Sequence, residues 1–154
     1  MATRVVKGVE ELRQLVGEDI GTSEWVEITQ DRVNKFAEAT GDHQWIHTDP
    51  ERAKKESPFG GPIAHGFLTI SLSPLLQAEV MIVDGITMGV NYGLNKLRFP
   101  APVPVGCRVR MHMQLKEVTD VTDGVVQVTS ILTFEVEGQE KPACVAESIA
   151  RFYF

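Results

Sequence analysis

From Ile86 to the end the chain is written in period two, and directly before that stretch lies its most apolar helix-like segment. Those two facts limit the fold more than any others. Ile86, Met88, Val90, Tyr92 and Leu94 share one parity and Leu97 and Phe99 take the other, which predicts a strand with a bulge around residues 93–95. Val109, Met111, Met113 and Leu115 alternate with Arg108, Arg110, His112 and Gln114, and Met111, Met113 and Met88 are most simply core. Val126, Val128, Leu132, Phe134 and Val136 repeat the pattern, with Asp123-Gly124 and Glu137-Gly138 as turns. Residues 143–154 are apolar on both parities, as in a central strand covered on both faces. The preceding helix is predicted to start between Ala64 and Gly66 and to run to about Ile82. Phe67, Leu68, Ile70, Leu72, Leu75, Leu76, Val80 and Met81 surround it, so burial on nearly all sides is expected. Pro74 should kink it and free the carbonyl of Ile70. The sum is an α+β architecture, a mainly antiparallel sheet wrapped around one long central helix.

The first third is read from its capping signals. Residues 9–16 have helical spacing and stop before Gly17, and residues 25–28 read as a short strand. Thr29 offers an N-cap hydroxyl, Asp31 suits the positive helix end, and Ile28 with Val33 has the spacing of a hydrophobic staple. Val33, Phe36, Ala37 and Thr40 share a face, and Gly41 is a natural stop. The helix Gln30–Thr40 therefore delivers Asp42 just beyond its end. A second short helix is expected after Asp49 as cap, with Pro50 in its first turn.

A chain of 154 residues with no repeat, low-complexity tract or Pro/Gly/Ser-rich linker is expected to form one domain, residues 1–154. That length can bury roughly two-thirds of the unfolded surface without covalent staples. The net charge of −6 argues against a dedicated nucleic-acid binder. Cys107 and Cys144 are too few for a disulfide scaffold and are read as free buried thiols in a reducing compartment. The N-terminal residues lack the apolar core of a signal peptide, and charges interrupt every long apolar run. A cytoplasmic location, with no membrane partner, is the expectation.

The chemistry gathers in Gly41-Asp42-His43-Gln44-Trp45-Ile46-His47 and in Gly60-Gly61-Pro62-Ile63-Ala64-His65-Gly66-Phe67. The first segment places a carboxylate and an imidazole five residues apart beyond a helix end. Alone, Asp42 is explained by an Asx-turn and His47 by a loop histidine. Together they can hold one water, one group taking its proton while the other delivers a proton elsewhere. The second segment is a glycine-rich turn entering the apolar helix, where free N–H groups at Gly66 favour a negative oxygen and the missing side chain admits a ligand. An acid/base pair plus an oxyanion donor suits proton transfer beside an activated carbonyl. His65 could cap the helix, line the site or fix the loop, and His43 is expected to point elsewhere. His43, His47, His65 and Asp42 lack metal-type spacing, so neither a metal nor an organic cofactor is expected.

From Val26 to Phe154 the chain resembles the MaoC-like dehydratases, a hotdog-fold group that includes (R)-specific enoyl-CoA hydratases, and within it the NodN-like branch. The resemblance rests on Phe36 through His47, which follows the hydratase pattern at Gly41, Asp42 and His47, with Ala53 as the later small residue. Gln44 and Trp45 depart from the Asn-Pro of that pattern in the manner of the NodN-like branch. Pro62 through Leu68 resembles the loop into the central helix, and Tyr92 through Gly106 the strand and turn that follow. The resemblance implies reversible hydration of a trans-2-enoyl-CoA to an (R)-3-hydroxyacyl-CoA. Asp42 and His47 would be catalytic, and Gly66, His65 and Gly61 would serve the oxyanion or substrate. It further implies an acyl-CoA partner and a homodimer joined edge to edge. Competing expectations are a hotdog thioesterase, which uses a differently placed carboxylate, and a non-catalytic acyl-CoA-binding module. Fold alone does not separate them.

Overall fold

The computed structural model describes residues 2–154. Strand β1 (Arg4–Val6) leads into α1 (Gly8–Gln14), then β2 (Asp19–Thr22), β3 (Val26–Glu27) and α2 (Gln30–Thr40). Two short helices follow, α3 (Trp45–Thr48) and α4 (Pro50–Glu56), then α5 (Gly66–Ser71) and α6 (Ser73–Val80). The remainder is strand: β4 (Met81–Val83), β5 (Met88–Arg98), β6 (Arg108–Thr122), β7 (Val125–Val136) and β8 (Cys144–Tyr153). The main sheet runs β2-β6-β7-β8-β5, antiparallel throughout, with β3 also on β6. An antiparallel sheet curved over a central helical segment is the α+β fold expected from the sequence.

The central helix is not one continuous rod. It breaks at Leu72, and Pro74 falls in the first turn of α6 rather than inside a helix. Proline has no N–H to give to Ile70, and the Ser73 hydroxyl donates to that carbonyl instead, at 2.7 Å. The helix also ends at Val80, not Ile82. Met81, Ile82 and Val83 pair in parallel with Arg4, Val5 and Val6, a long-range contact that periodicity does not reveal. Burial is confined to a stripe. Leu68, Thr69, Leu72, Leu76 and Val80 face the core, while Phe67 is 65% and Leu75 50% exposed.

The same one-sidedness corrects three further expectations. Met111 and Met113 lie in the core with Leu115, Leu132 and Phe134, but Met88 is exposed. It sits on β5, the edge strand, and two bulges, at 91–93 and 94–96, twist that edge. Strand β8 is hydrogen-bonded along both edges, yet from Glu147 onward its side chains are only half-buried. Cys144 is buried and unpaired, with burial pushing its thiol up to about 12, whereas Cys107 is only partly covered. Among the described residues no helix is long and apolar enough to cross a membrane.

Candidate active site

The site is assembled by three short connections whose ends are fixed by capping. Thr29 accepts from the N–H of Arg32 and starts α2, and Val33 and Ala37 bury its inner face. Gly41, at φ 84°, closes the helix by donating its N–H to Ala37. Asp42 follows at once, and its Oδ1 accepts from the N–H of Gln44 at 3.3 Å, so it does form the local turn expected of such an aspartate. That bond holds the carboxylate at the start of α3, which carries His47. Asp49 then accepts from the N–H of Arg52 and, with Pro50, begins α4.

His47 is locked from two sides. Gln30, the first residue of α2, donates its side-chain N–H to the His47 carbonyl at 2.7 Å. The imidazole Nδ1 lies 2.6 Å from the carbonyl of Ile63. A carbonyl only accepts, so Nδ1 carries the proton and Nε2 is left with the lone pair. Ile63 is itself tied to the same helix by its N–H on the Ile46 carbonyl. Ala64 donates to Val103, and Val105 to Pro62, so the 62–64 segment is stitched to the turn before β6.

His65 follows as the N-cap of α5, accepting from the N–H groups of Leu68 and Thr69 through its carbonyl. Its ring stacks on that of His47 with centroids 3.9 Å apart and 26° between planes, and Phe36 packs nearby at 4.9 Å. Its Nε2 lies 3.0 Å from the Asp42 carbonyl and 4.0 Å from the Asp42 carboxylate. One ligating atom from each of Asp42, His47 and His65 falls within 4.8 Å of the others. His43 stays outside this group, exposed and facing Glu38 at 3.9 Å.

The two histidines are almost wholly buried while the Asp42 side chain is half-exposed, so the cluster opens to its surroundings through the carboxylate. Burial holds the His47 imidazole below the ordinary histidine range, and the neighbouring His65 ring adds to that. The Ile63 carbonyl and the Asp42 charge pull in the other direction. A depressed imidazole keeps an open lone pair at neutral pH.

Gly66 begins α5 beside the cluster, so its N–H has no acceptor within the helix. The space a side chain would take there is filled by Phe99: a Cβ would lie 2.9 Å from two atoms of its ring. A cavity of about 320 Å³ starts at this point, lined by Ile63, Ala64, Thr69, Phe99 and Val103 among others. That volume suits a small-molecule group, and its walls are mostly apolar. Gln44 and Trp45 are not among its walls; Trp45 carries the Arg52 guanidinium 4.2 Å above its ring. Gly60 and Gly61 lie in the bend before Pro62, with open space where a Cβ would go. Gln30, Ile63 and Phe99 went unflagged in the sequence, because a backbone carbonyl and two distant side chains carry no local pattern.

Residues 11–136 match the family profile described as a MaoC like domain. The chain is 57% identical over 149 residues to 3-hydroxyacyl-thioester dehydratase Z of Mycobacterium tuberculosis, covering 97% of this chain and 98% of that one. It is 43% identical to nodulation protein N of Rhizobium meliloti, over 91% of this chain and 88% of that protein. In structure it follows the monoamine oxidase regulatory protein of an Archaeoglobus species with a TM-score of 0.78 at 24% identity, covering 99% and 98% of the two chains. It follows the (R)-hydratase of A. caviae involved in PHA biosynthesis with a TM-score of 0.66 at 24% identity, covering 86% and 95%. Those last two likenesses speak for the fold, and the sequence matches for the lineage: the chain belongs to the MaoC-like dehydratase family of hotdog-fold hydratases and dehydratases.

Proposed function

We propose that the protein catalyses the reversible hydration of a trans-2-enoyl-CoA to an (R)-3-hydroxyacyl-CoA, with Asp42 and His47 acting on one water. The observation that carries this reading is the cluster itself. A half-exposed carboxylate and a fixed, buried imidazole are gathered against His65, and the next residue, Gly66, lines an apolar cavity. The thioester makes C3 electrophilic, so the water oxygen bonds to C3 while the dyad takes a proton from it. The electron pair of the C2–C3 double bond moves into the enolate and ends in a C2–H bond, formed with a proton returned by the dyad. One water is consumed and no further reagent is needed. The enolate-like oxygen is assigned to the Gly66 N–H; losing one such donor typically costs about 3 kcal/mol of transition-state stabilisation. The 3-hydroxyacyl-thioester chemistry in the name of the mycobacterial relative supports the substrate class.

The protein is proposed to act as a homodimer in the cytoplasm. Support for the dimer comes from β5, an edge strand on which Val90 is 40% and Tyr92 56% exposed, with the exposed Met88 and Leu94 on either side of them. Such an apolar edge invites pairing, and a two-fold copy of itself satisfies it.

The test is purified protein with crotonyl-CoA and longer trans-2-enoyl-CoAs. Loss of enoyl absorbance and an (R) product are expected. Release of free CoA thiol without hydration would mark a thioesterase. Binding with no turnover would mark a carrier module.

A further inference from the structure

The mechanism just given uses two members of a three-residue cluster and leaves the most buried one idle. His65 is 3% exposed, and it does not line the cavity beside Gly66. Its Nε2 faces a carbonyl, which can only accept, so Nε2 carries the proton and donates to Asp42. Nδ1 is then a lone pair, buried and without a partner. A buried acceptor left unpaired costs about 1–3 kcal/mol, so an apolar ring here would be the cheaper choice for packing alone. What the imidazole adds over such a ring is the Nε2–H, and that bond reaches the backbone of the residue that bears the carboxylate.

Resting on the reading of Asp42 and His47 as the water-activating pair, we propose that His65 is the positioning residue of that pair. It fixes the Asp42 turn through its Nε2–H and fixes the plane of the His47 ring by stacking. The two contacts act on different partners. The hydrogen bond at 3.0 Å sets where the Asp42 backbone sits, on a turn otherwise held by two longer local bonds, Gln44 N–H to Asp42 Oδ1 at 3.3 Å and Asp42 N–H to Thr40 Oγ1 at 3.4 Å. The stack at 3.9 Å, with Phe36 packed nearby, leaves the imidazole of His47 no freedom to swing away from the Ile63 carbonyl. The charged and titratable groups of this cluster are Asp42 and His47; Phe36 and the Ile63 carbonyl complete the surroundings of the two rings. His65 also lies close enough to His47 to disfavour its protonation, so removing the second imidazole should let His47 take a proton more readily.

His65→Phe keeps a flat buried ring and removes the donor, whereas His65→Gln keeps an N–H of similar reach and removes the stack. Two readouts are needed, hydration kinetics on crotonyl-CoA and the imidazole titration of His47 by NMR, which is tractable with 4 histidines in the chain. His65→Phe should lower kcat by at least about ten-fold with KM within about two-fold, the scale of a small misplacement of reacting groups. His65→Gln should recover part of that loss. In both variants the His47 titration, and with it the acid limb of the kcat profile, should move to higher pH. Unchanged kcat together with an unmoved His47 titration in folded variants overturns the assignment. A lower kcat with an unmoved titration overturns it as well, since that is loss of packing only. If the wild-type protein hydrates no enoyl thioester, the proposed reaction fails, and the NMR titration alone decides the role of His65.

Discussion

Placing a methyl group on Gly66 separates packing from helix propensity at the edge of the site. The backbone of Gly66 is not left-handed, so alanine brings no conformational strain, and it should favour the helix by up to about 1 kcal/mol. Against this, the new Cβ would stand 2.9 Å from two atoms of the Phe99 ring and 3.1 Å from a third. Carbon pairs prefer about 3.5–4.0 Å, so the ring must retreat by roughly 0.6 Å or more. Phe99 is 40% exposed and meets Phe67 edge-on at 6.0 Å, so it can swing outward at the expense of its own burial. Overpacking of this kind costs about 1–3 kcal/mol, giving a net destabilisation of roughly 0–3 kcal/mol for Gly66→Ala. In a Phe99→Ala background the obstacle is gone, and Gly66→Ala should become neutral or stabilising. Urea unfolding of the four proteins measures the coupling, which should be at least about 1 kcal/mol. The same loss from Gly66→Ala in both backgrounds would show that Phe99 does not rest on this glycine.

Three further outcomes are expected. His47 is buried with a lowered pKa, so the unfolded chain takes up its proton first as pH falls. Stability should therefore drop from the ordinary histidine value of 6.5 down to the lower folded one, by at most about 1.4 kcal/mol per pH unit, and level off below it. Unfolding between pH 7 and 5 should show that slope, and His47→Gln should lessen it. Ser73→Ala removes the hydroxyl that serves the Ile70 carbonyl and should cost about 0.5–1.5 kcal/mol in the same assay, with no cost if that carbonyl is satisfied by other means. Val90→Lys sets a charge on the apolar edge of β5 and should convert a dimer to monomer by sedimentation. A wild-type monomer at micromolar concentration, or a Val90→Lys dimer, would remove β5 as the interface.

Much of this site was legible because local chemistry specifies it. The Thr29 cap, the Gly41 stop and the Asp49-Pro50 start are short-range signals, and each appears where its residue type demands. So do the long antiparallel strands, whose alternation records which face meets the core. What the sequence hid is contact between distant segments. Nothing around Met81 announces that Arg4–Val6 will draw it into a strand, so its apolar spacing reads as more helix. The apolar parity of β5 is real, but alternation records only that a face is apolar. It is silent on whether the chain's own helices will cover that face. At the site, His65 was visible as a residue and not as a neighbour. Its stack on His47 joins positions 18 residues apart through a loop whose course depends on the 102–105 turn.

The measurement that bears most directly on the account is a double-mutant cycle on the dyad, read as hydration of crotonyl-CoA. Asp42→Asn keeps the side-chain oxygen that accepts from the Gln44 N–H, so the turn should survive while the charge is lost. His47→Gln removes the Nε2 lone pair of the ring fixed by Ile63. Each should lower kcat/KM by at least about 10²-fold, the usual scale for general acid/base groups. The double mutant should be little worse than the weaker single, because groups acting on one water are not additive. His43→Ala, beside the pair in sequence but facing Glu38, should stay close to wild type. Near-wild-type hydration in folded Asp42→Asn would mean that the water is activated elsewhere, and losses that multiply in the double mutant would mean that the two groups do not act on one water as a unit.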